Sequence, residues 1–102
     1  MLQAHLNGGA LNGARILSAT SSAAMQNIAT RGGKMDVGLG WFRFHSARGR
    51  LPGFIEHLGG GGGFFNVMRL YPERGLGIVI MGNATSYDHE AMARSIIDQP
   101  WD

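Results

Sequence analysis

The sequence predicts an α+β protein, with helices before and after an antiparallel sheet of about four strands. Three observations carry this reading. Apolar residues recur at helical spacing near both ends of the chain, at Ala24, Met25, Ile28 and Ala29 and again at Met92, Ala93, Ile96 and Ile97. Between these stretches lie β-rich runs separated by glycine and proline turns. A chain of 102 residues with a hydrophobic fraction of 44% supports one core, so residues 1–102 are read as a single domain.

Residues 1–7 are predicted as a short helix that ends at Asn7-Gly8-Gly9, where glycine can adopt a left-handed C-cap. No Ser, Thr, Asp or Asn cap precedes Leu2, so this helix reads as one entered partway along. Residues 8–17 read as loop, with a turn signal at Asn12-Gly13. Ser18 or Thr20 caps a second helix that runs to about Thr30 and is stopped by Arg31-Gly32-Gly33.

Strand patterns begin at Val37. Leu39, Trp41 and Arg43 alternate with Gly40, Phe42 and Phe44, which predicts one strand. Residues 46–53 are a polar turn, and Phe54 to His57 is a short strand running into five consecutive glycines. Phe64 to Tyr71 is a longer strand, closed by the hairpin turn Pro72-Glu73-Arg74-Gly75. Leu76 to Met81 is apolar at every position, the pattern of a central strand covered on both faces. A last helix is expected from about Ser86 to Asp98, capped by Ser86 or Asp88, with Glu90 in its first turn and Pro100 just past its end. Trp41, Phe42, Phe44, Phe54, Phe64 and Phe65 are expected to build the core.

Composition excludes several functions. The formal net charge is +2, and the eight arginines and the single Lys34 form no stripe, so no nucleic-acid partner is expected. Without cysteine there is no disulfide, thiol chemistry or Cys-type zinc site, and the redox compartment stays open. The longest apolar run, Leu76 to Met81, falls far short of the roughly 20 residues needed to cross a membrane. No signal peptide is visible, which leaves the cytoplasm as the default location, subject to an N-terminal region outside these residues. His5, His45, His57 and His89 lack His-x-x-x-His spacing, so neither a metal nor another cofactor is expected. Ser46, Ser86 and Ser95 are serines by type only, because no Gly-x-Ser-x-Gly elbow is present.

The sharpest local feature is Glu56-His57-Leu58 followed by Gly59 to Gly63 and Phe64-Phe65. So many glycines let backbone N–H groups face a ligand, although the same residues also suit a plain hairpin loop. A phosphate loop is the poorer reading, since no Gly-Lys-Ser/Thr leads into a helix.

These residues belong to a longer ordered set. Gly38-Leu39-Gly40-Trp41, His57-x-Gly59-Gly60, Gly63-Phe64, Tyr71-Pro72-Glu73 and Gly77-Ile78-Val79-Ile80-Met81-x-Asn83 follow one another in that order. Upstream lie a helix ending in Asn7-Gly8-Gly9 and Arg15-Ile16-Leu17-Ser18 before a helix containing Met25. From residue 1 to about 98 this resembles the β-lactamase-related serine hydrolases, the family of penicillin-binding proteins, class C β-lactamases and related esterases.

The resemblance implies three motifs: Ser-x-x-Lys for nucleophile and base, Tyr-x-Asn (or Ser-x-Asn) for proton transfer, and a Lys/His-x-Gly strand across the cleft. Only the third is matched, by His57-Leu58-Gly59. It implies that His57 faces the substrate, that Gly59 and Gly60 follow in the motif strand, and that the Gly60 N–H serves as an oxyanion donor. Leu58, Gly61 and Asn83 would line the substrate site with His57. Leu58 stands where lactamases and peptidases carry a hydroxyl residue, which leans towards an esterase.

Arg31 lies three residues before Lys34, so there is no Ser-x-x-Lys, and Tyr71-Pro72-Glu73 and Tyr87-Asp88-His89 supply no Tyr-x-Asn. The resemblance therefore implies a C-terminal segment of a transpeptidase-like domain, inactive without an N-terminal half. It further implies an open strand edge at 76–82, and hence a homo-oligomer through that edge or through the uncovered sheet face. The alternative is a non-catalytic module for self-association or small-ligand binding.

Overall fold

The longest run of backbone pairing is a meander of three strands, β5 (Ile55–Gly61), β6 (Phe64–Tyr71) and β7 (Leu76–Gly82). The computed structural model describes residues 1–27, 30–31, 35–44 and 53–100. Before the meander come α1 (Leu2–Leu6), a two-stranded ribbon of β1 (Ala10–Leu11) and β2 (Ala14–Arg15), α2 (Ala19–Gln26), and β3 (Met35–Val37) with β4 (Phe42–Phe44). After it comes α3 (His89–Ile97). The main sheet is antiparallel in the order β3-β4-β5-β6-β7. This is the α+β architecture expected, with five strands in the main sheet among the described residues.

The differences have local causes. The ribbon β1–β2 replaces the loop expected over residues 8–17. Asn12 and Gly13 both take positive φ (52° and 80°), the geometry of a two-residue hairpin turn with the right twist. The single strand expected through Leu39 to Phe44 is a hairpin instead. Gly40 sits at φ 82° and the Gly38 N–H bonds the Trp41 carbonyl at 2.7 Å, so the chain reverses where alternation alone suggested continuation. The glycine run is mostly strand: β5 continues to Gly61, and the turn is Gly62-Gly63, with Gly63 at φ 91°. Gly75, at φ 63°, closes the expected turn after Pro72–Arg74.

Helix ends follow side-chain chemistry. Ser18 accepts the Ser21 N–H at 3.0 Å and starts α2. Asp88, not Ser86, caps α3 by accepting the Ala91 N–H at 3.0 Å. On α2 the buried residue is Ser22, Met25 is half-buried and Ala24 faces solvent; Ile28 and Ala29 lie outside the described residues. On α3 the buried residues are Ala93 and Ile97, while Met92 is exposed. No helix among the described residues is long and apolar enough to cross a membrane.

The register sorts the sheet into two faces, because opposed residues in an antiparallel ladder share a face. One face carries the rows Ile55–Leu70–Gly77, His57–Met68–Val79 and Gly59–Asn66–Met81. The first row is covered: Trp41, Ile55 and Leu70 form a core cluster with Leu2, Leu6, Met25 and Met68 packed on it. Gly77 leaves room for Leu2, since a Cβ there would stand 3.2 Å from the leucine side chain. Farther along, this face is bare, with Val79 at 54% and Met81 at 77% exposure. Among the described residues the strand 76–82 therefore lies at the end of the sheet with Val79 and Met81 uncovered, not in its centre with both faces covered. The opposite face, with Glu56, Val67, Arg69 and Tyr71 buried, lies under α3. Of the aromatic residues expected in the core, Trp41 is buried, Phe42, Phe54 and Phe65 are half-buried, and Phe64 is 48% exposed.

Leu70→Ala should cost about 2–5 kcal/mol in urea unfolding, the range for emptying a packed aliphatic site. Val79→Ala, on the bare part of the same face, should stay within about 0.5 kcal/mol.

Candidate functional site

The candidate site is the far half of β5. On the β6 side its pairing is complete from Ile55↔Leu70 to Gly61↔Phe64. On the β4 side the pairing is Phe42↔Glu56 alone, so among the described residues His57–Gly61 has an open outer edge. Along an antiparallel ladder, successive residues point their N–H and C=O groups to one neighbour and then the other. Part of the 57–61 backbone therefore faces that open edge with no side chain from Gly59 onward to screen it.

The glycines are not equivalent. A Cβ on Gly60 would stand 2.7 Å from the Phe65 ring and one on Gly61 2.7 Å from the Phe64 ring, whereas one on Gly59 would meet nothing within 4 Å. Gly60 and Gly61 thus admit the two phenylalanine rings alongside β5, and Gly59 keeps the edge bare. The turn is then tied down from the loop after β7. The Gly63 N–H donates to Thr85 Oγ1 at 2.9 Å, and the Tyr87 hydroxyl donates to the Phe65 carbonyl. The Tyr87 ring occupies the space above Gly82 that any side chain there would fill.

His57 is exposed and its ring stacks on Phe42, with centroids 4.8 Å apart and planes 26° from parallel. His57, Gly59 and Gly61 share one face, while Leu58 and Gly60 share the other, under which Leu58 is half-buried. Asn83 is exposed and directly follows Gly82, which completes the row Gly60–Phe65–Gly82. That places it at the glycine end of the sheet, two strand spacings or about 10 Å from β5. The structure thus gathers His57, Gly59 and Gly61 on one surface and sets Leu58 behind them. Among the described residues no three His, Asp or Glu side chains converge on a point that could hold a metal. His45 and Ser46 lie outside the described residues.

Beneath the site is a feature that the sequence reading missed. Arg69, 2% exposed, donates from Nε (2.8 Å) and Nη2 (2.6 Å) to Glu56 Oε2, and from Nη2 (2.7 Å) and Nη1 (3.2 Å) to the two oxygens of Glu90. The Tyr71 hydroxyl lies 3.5 Å from Nη1, and the Phe54 ring centroid lies 3.9 Å from the guanidinium carbon. The strand register sets Glu56 opposite Arg69, and α3 supplies Glu90 from above. A charge removed from water is costly unless paired and hydrogen-bonded, and here it is both.

Burial pushes the Glu56 carboxyl above its ordinary range, against the pull of Arg69. Hydrogen bonding from Arg69 holds half-exposed Glu90 below its ordinary range. Burial alone would lower Arg69, but its bonds to Glu90 and Tyr71 and the charge of Glu56 outweigh it and leave it raised. The only trace in the sequence is a pair of charges on strands that are otherwise apolar on that face, and their meeting depends on register. Thr85 and Tyr87 were missed for the same reason.

An antiparallel meander flanked by helices, with a His-x-Gly-Gly strand within it, is a partial β-lactamase-like fold. The comparison with known families agrees: residues 1–99 match the family model described as Beta-lactamase, and the chain belongs to that family. Over 50 residues it is 42% identical to the D-alanyl-D-alanine-carboxypeptidase/endopeptidase AmpH of Escherichia coli strain K12, and equally to that of Escherichia coli O157:H7. The matched stretch is 48% of this chain and 13% of those relatives.

Two outcomes follow for the buried cluster. Arg69→Ala, which strands Glu56 in the interior, should cost about 3–5 kcal/mol in urea unfolding. Glu90, depressed on folding, stabilises at neutral pH and loses that contribution as pH falls through its folded pKa; raised Glu56 acts in the opposite sense, favouring the folded state while it is protonated. Glu90→Gln should therefore flatten the acid limb of the stability profile below about pH 4, by less than about 1 kcal/mol because the group is half-exposed.

Proposed function

We propose that this chain forms one wall of an acyl-transfer site in a serine hydrolase and is catalytically silent by itself. The observation that carries this reading is the open β5 edge beside exposed His57, in a chain of the Beta-lactamase family that holds no Ser-x-x-Lys. In this reading His57 hydrogen-bonds the substrate and the Gly60 N–H stabilises the negative charge on the attacked carbonyl oxygen. Gly59 and Gly61 keep the strand free of side chains, and Leu58 and Asn83 border the site. The serine that attacks the carbonyl and the groups that move its proton come from a Ser-x-x-Lys and a Tyr-x-Asn outside these 102 residues. The acyl group passes to that serine, the amine or alcohol leaves, and water releases the acid. Leu58 in place of a hydroxyl residue favours esters or amides that need no hydroxyl contact at that point.

Intact-protein mass after incubation with a fluorophosphonate, and separately with a penicillin, tests the silence of the isolated chain. No adduct is expected on folded protein. A stoichiometric adduct on one serine would show a nucleophile of its own and would end this reading. The role of Gly60 is tested by grafting the chain onto an N-terminal half that carries Ser-x-x-Lys and Tyr-x-Asn. Penicillin acylation should then fall about 100-fold on Gly60→Pro, as when one oxyanion donor is removed. A folded Gly60→Pro graft that acylates as fast as its parent would contradict the assignment.

A further inference from the structure

The imidazole of His57 meets the rest of the chain through a second ring. The residue is exposed, and the contact its ring makes among the described residues is with Phe42, centroids 4.8 Å apart and planes 26° from parallel. That separation lies in the offset-stacked range that aromatic rings favour. An exposed side chain on a strand is otherwise free to turn between rotamers. Here a flat partner confines it.

The partner is itself fixed. Phe42 pairs with Val37 on one side and with Glu56 on the other, and its ring is half-buried. The residue before it, Trp41, is 3% exposed and packs in the core with Ile55 and Leu70, its ring T-shaped to that of His5. Glu56, opposite Phe42, is clamped by Arg69. The two stacked rings therefore stand on backbone that is held from three directions. Phe42↔Glu56 is also the one described pairing of β4 with β5, so the stack marks where the outer edge of His57–Gly61 opens.

We propose that Phe42 is a positioning residue for His57, its ring holding the imidazole at the mouth of the open edge. This rests on the acyl-transfer reading of His57. Stacking engages the faces of the two rings, whereas imidazole nitrogens donate and accept in the ring plane, so both stay available to a substrate. Phe42 acts through His57 and takes no part in the proton or acyl transfer. An aliphatic residue of similar size would fill the space without supplying a flat face.

A double-mutant cycle separates positioning from packing. In a graft of the chain onto an N-terminal half that carries Ser-x-x-Lys and Tyr-x-Asn, acylation at saturating penicillin is compared for Phe42→Leu, His57→Ala and the pair. Phe42→Leu should slow acylation about 3- to 10-fold, the scale set by ordering one side chain, and Phe42→Tyr, which keeps the ring, should not. On the His57→Ala background Phe42→Leu should add no further loss. An equal loss on both backgrounds would mean that Phe42 serves packing alone, and would overturn the proposal. A His57→Ala graft as fast as its parent would instead end the reading of His57, and the positioning role with it. Proton NMR of the 102-residue chain gives a readout that needs no activity. The His57 ring protons should lie upfield under the Phe42 ring current, return to ordinary histidine positions in Phe42→Leu, and move back in Phe42→Tyr. Ordinary positions in the unmodified chain would show that the rings do not stack, and would overturn the proposal while leaving the reading of His57 in place.

Discussion

One guanidinium organises the structure. Arg69 projects from the middle of the meander into a space that water does not reach, and two carboxylates from different elements close on it. Glu56 is supplied by the neighbouring strand and Glu90 by the last helix, so a single side chain fixes β5 against β6 and α3 against both. Emptied of its partners the site would hold a bare charge in a low-dielectric interior, a cost of several kcal/mol. Each of the three elements is thereby committed to one relative position. Glu56 is also the residue before His57, so the clamp sets where the candidate site begins.

From that anchor the rest of β5 can afford to be bare. A strand with Gly59, Gly60 and Gly61 in succession has little side-chain packing of its own, and glycine carries the largest entropy cost of ordering. Here the order is imposed from both ends. The Glu56–Arg69 pair fixes the start, and at the turn Thr85 and Tyr87 hold Gly63 and Phe65 from the loop after β7. Phe64 and Phe65 fill the space that side chains at Gly61 and Gly60 would take. The outcome, among the described residues, is an extended backbone with an open outer edge.

The fold class, the family and the order of the elements were legible in the sequence because they rest on local signals: helical spacing around Met25 and Ala93, the Pro72–Gly75 turn, and the ordered glycine motifs. What escaped was set by contacts between distant residues or by backbone geometry that two sequence patterns share. Gly40 interrupts an alternating run and reads as a strand residue until its positive φ shows a reversal. The glycine run reads as loop until the register places Phe64 and Phe65 against it. Leu76 to Met81 reads as a covered strand because a run that is apolar at every position does not show which side is covered. Arg69, Glu56 and Glu90 are unremarkable letters separately. Of the candidate site, His57 and the glycines were singled out through their motif, and the bonds from Thr85 and Tyr87 that hold the turn were not.

Amide hydrogen exchange resolved by residue along β5 tests most directly whether this strand is an ordered edge that can present backbone donors. The account predicts alternation from His57 to Gly61, with amides bonded to β6 protected and those facing the outer edge exchanging fast. Uniform protection across the five would mean that the edge is covered. Uniformly fast exchange would mean a mobile glycine loop, and either result would contradict the account.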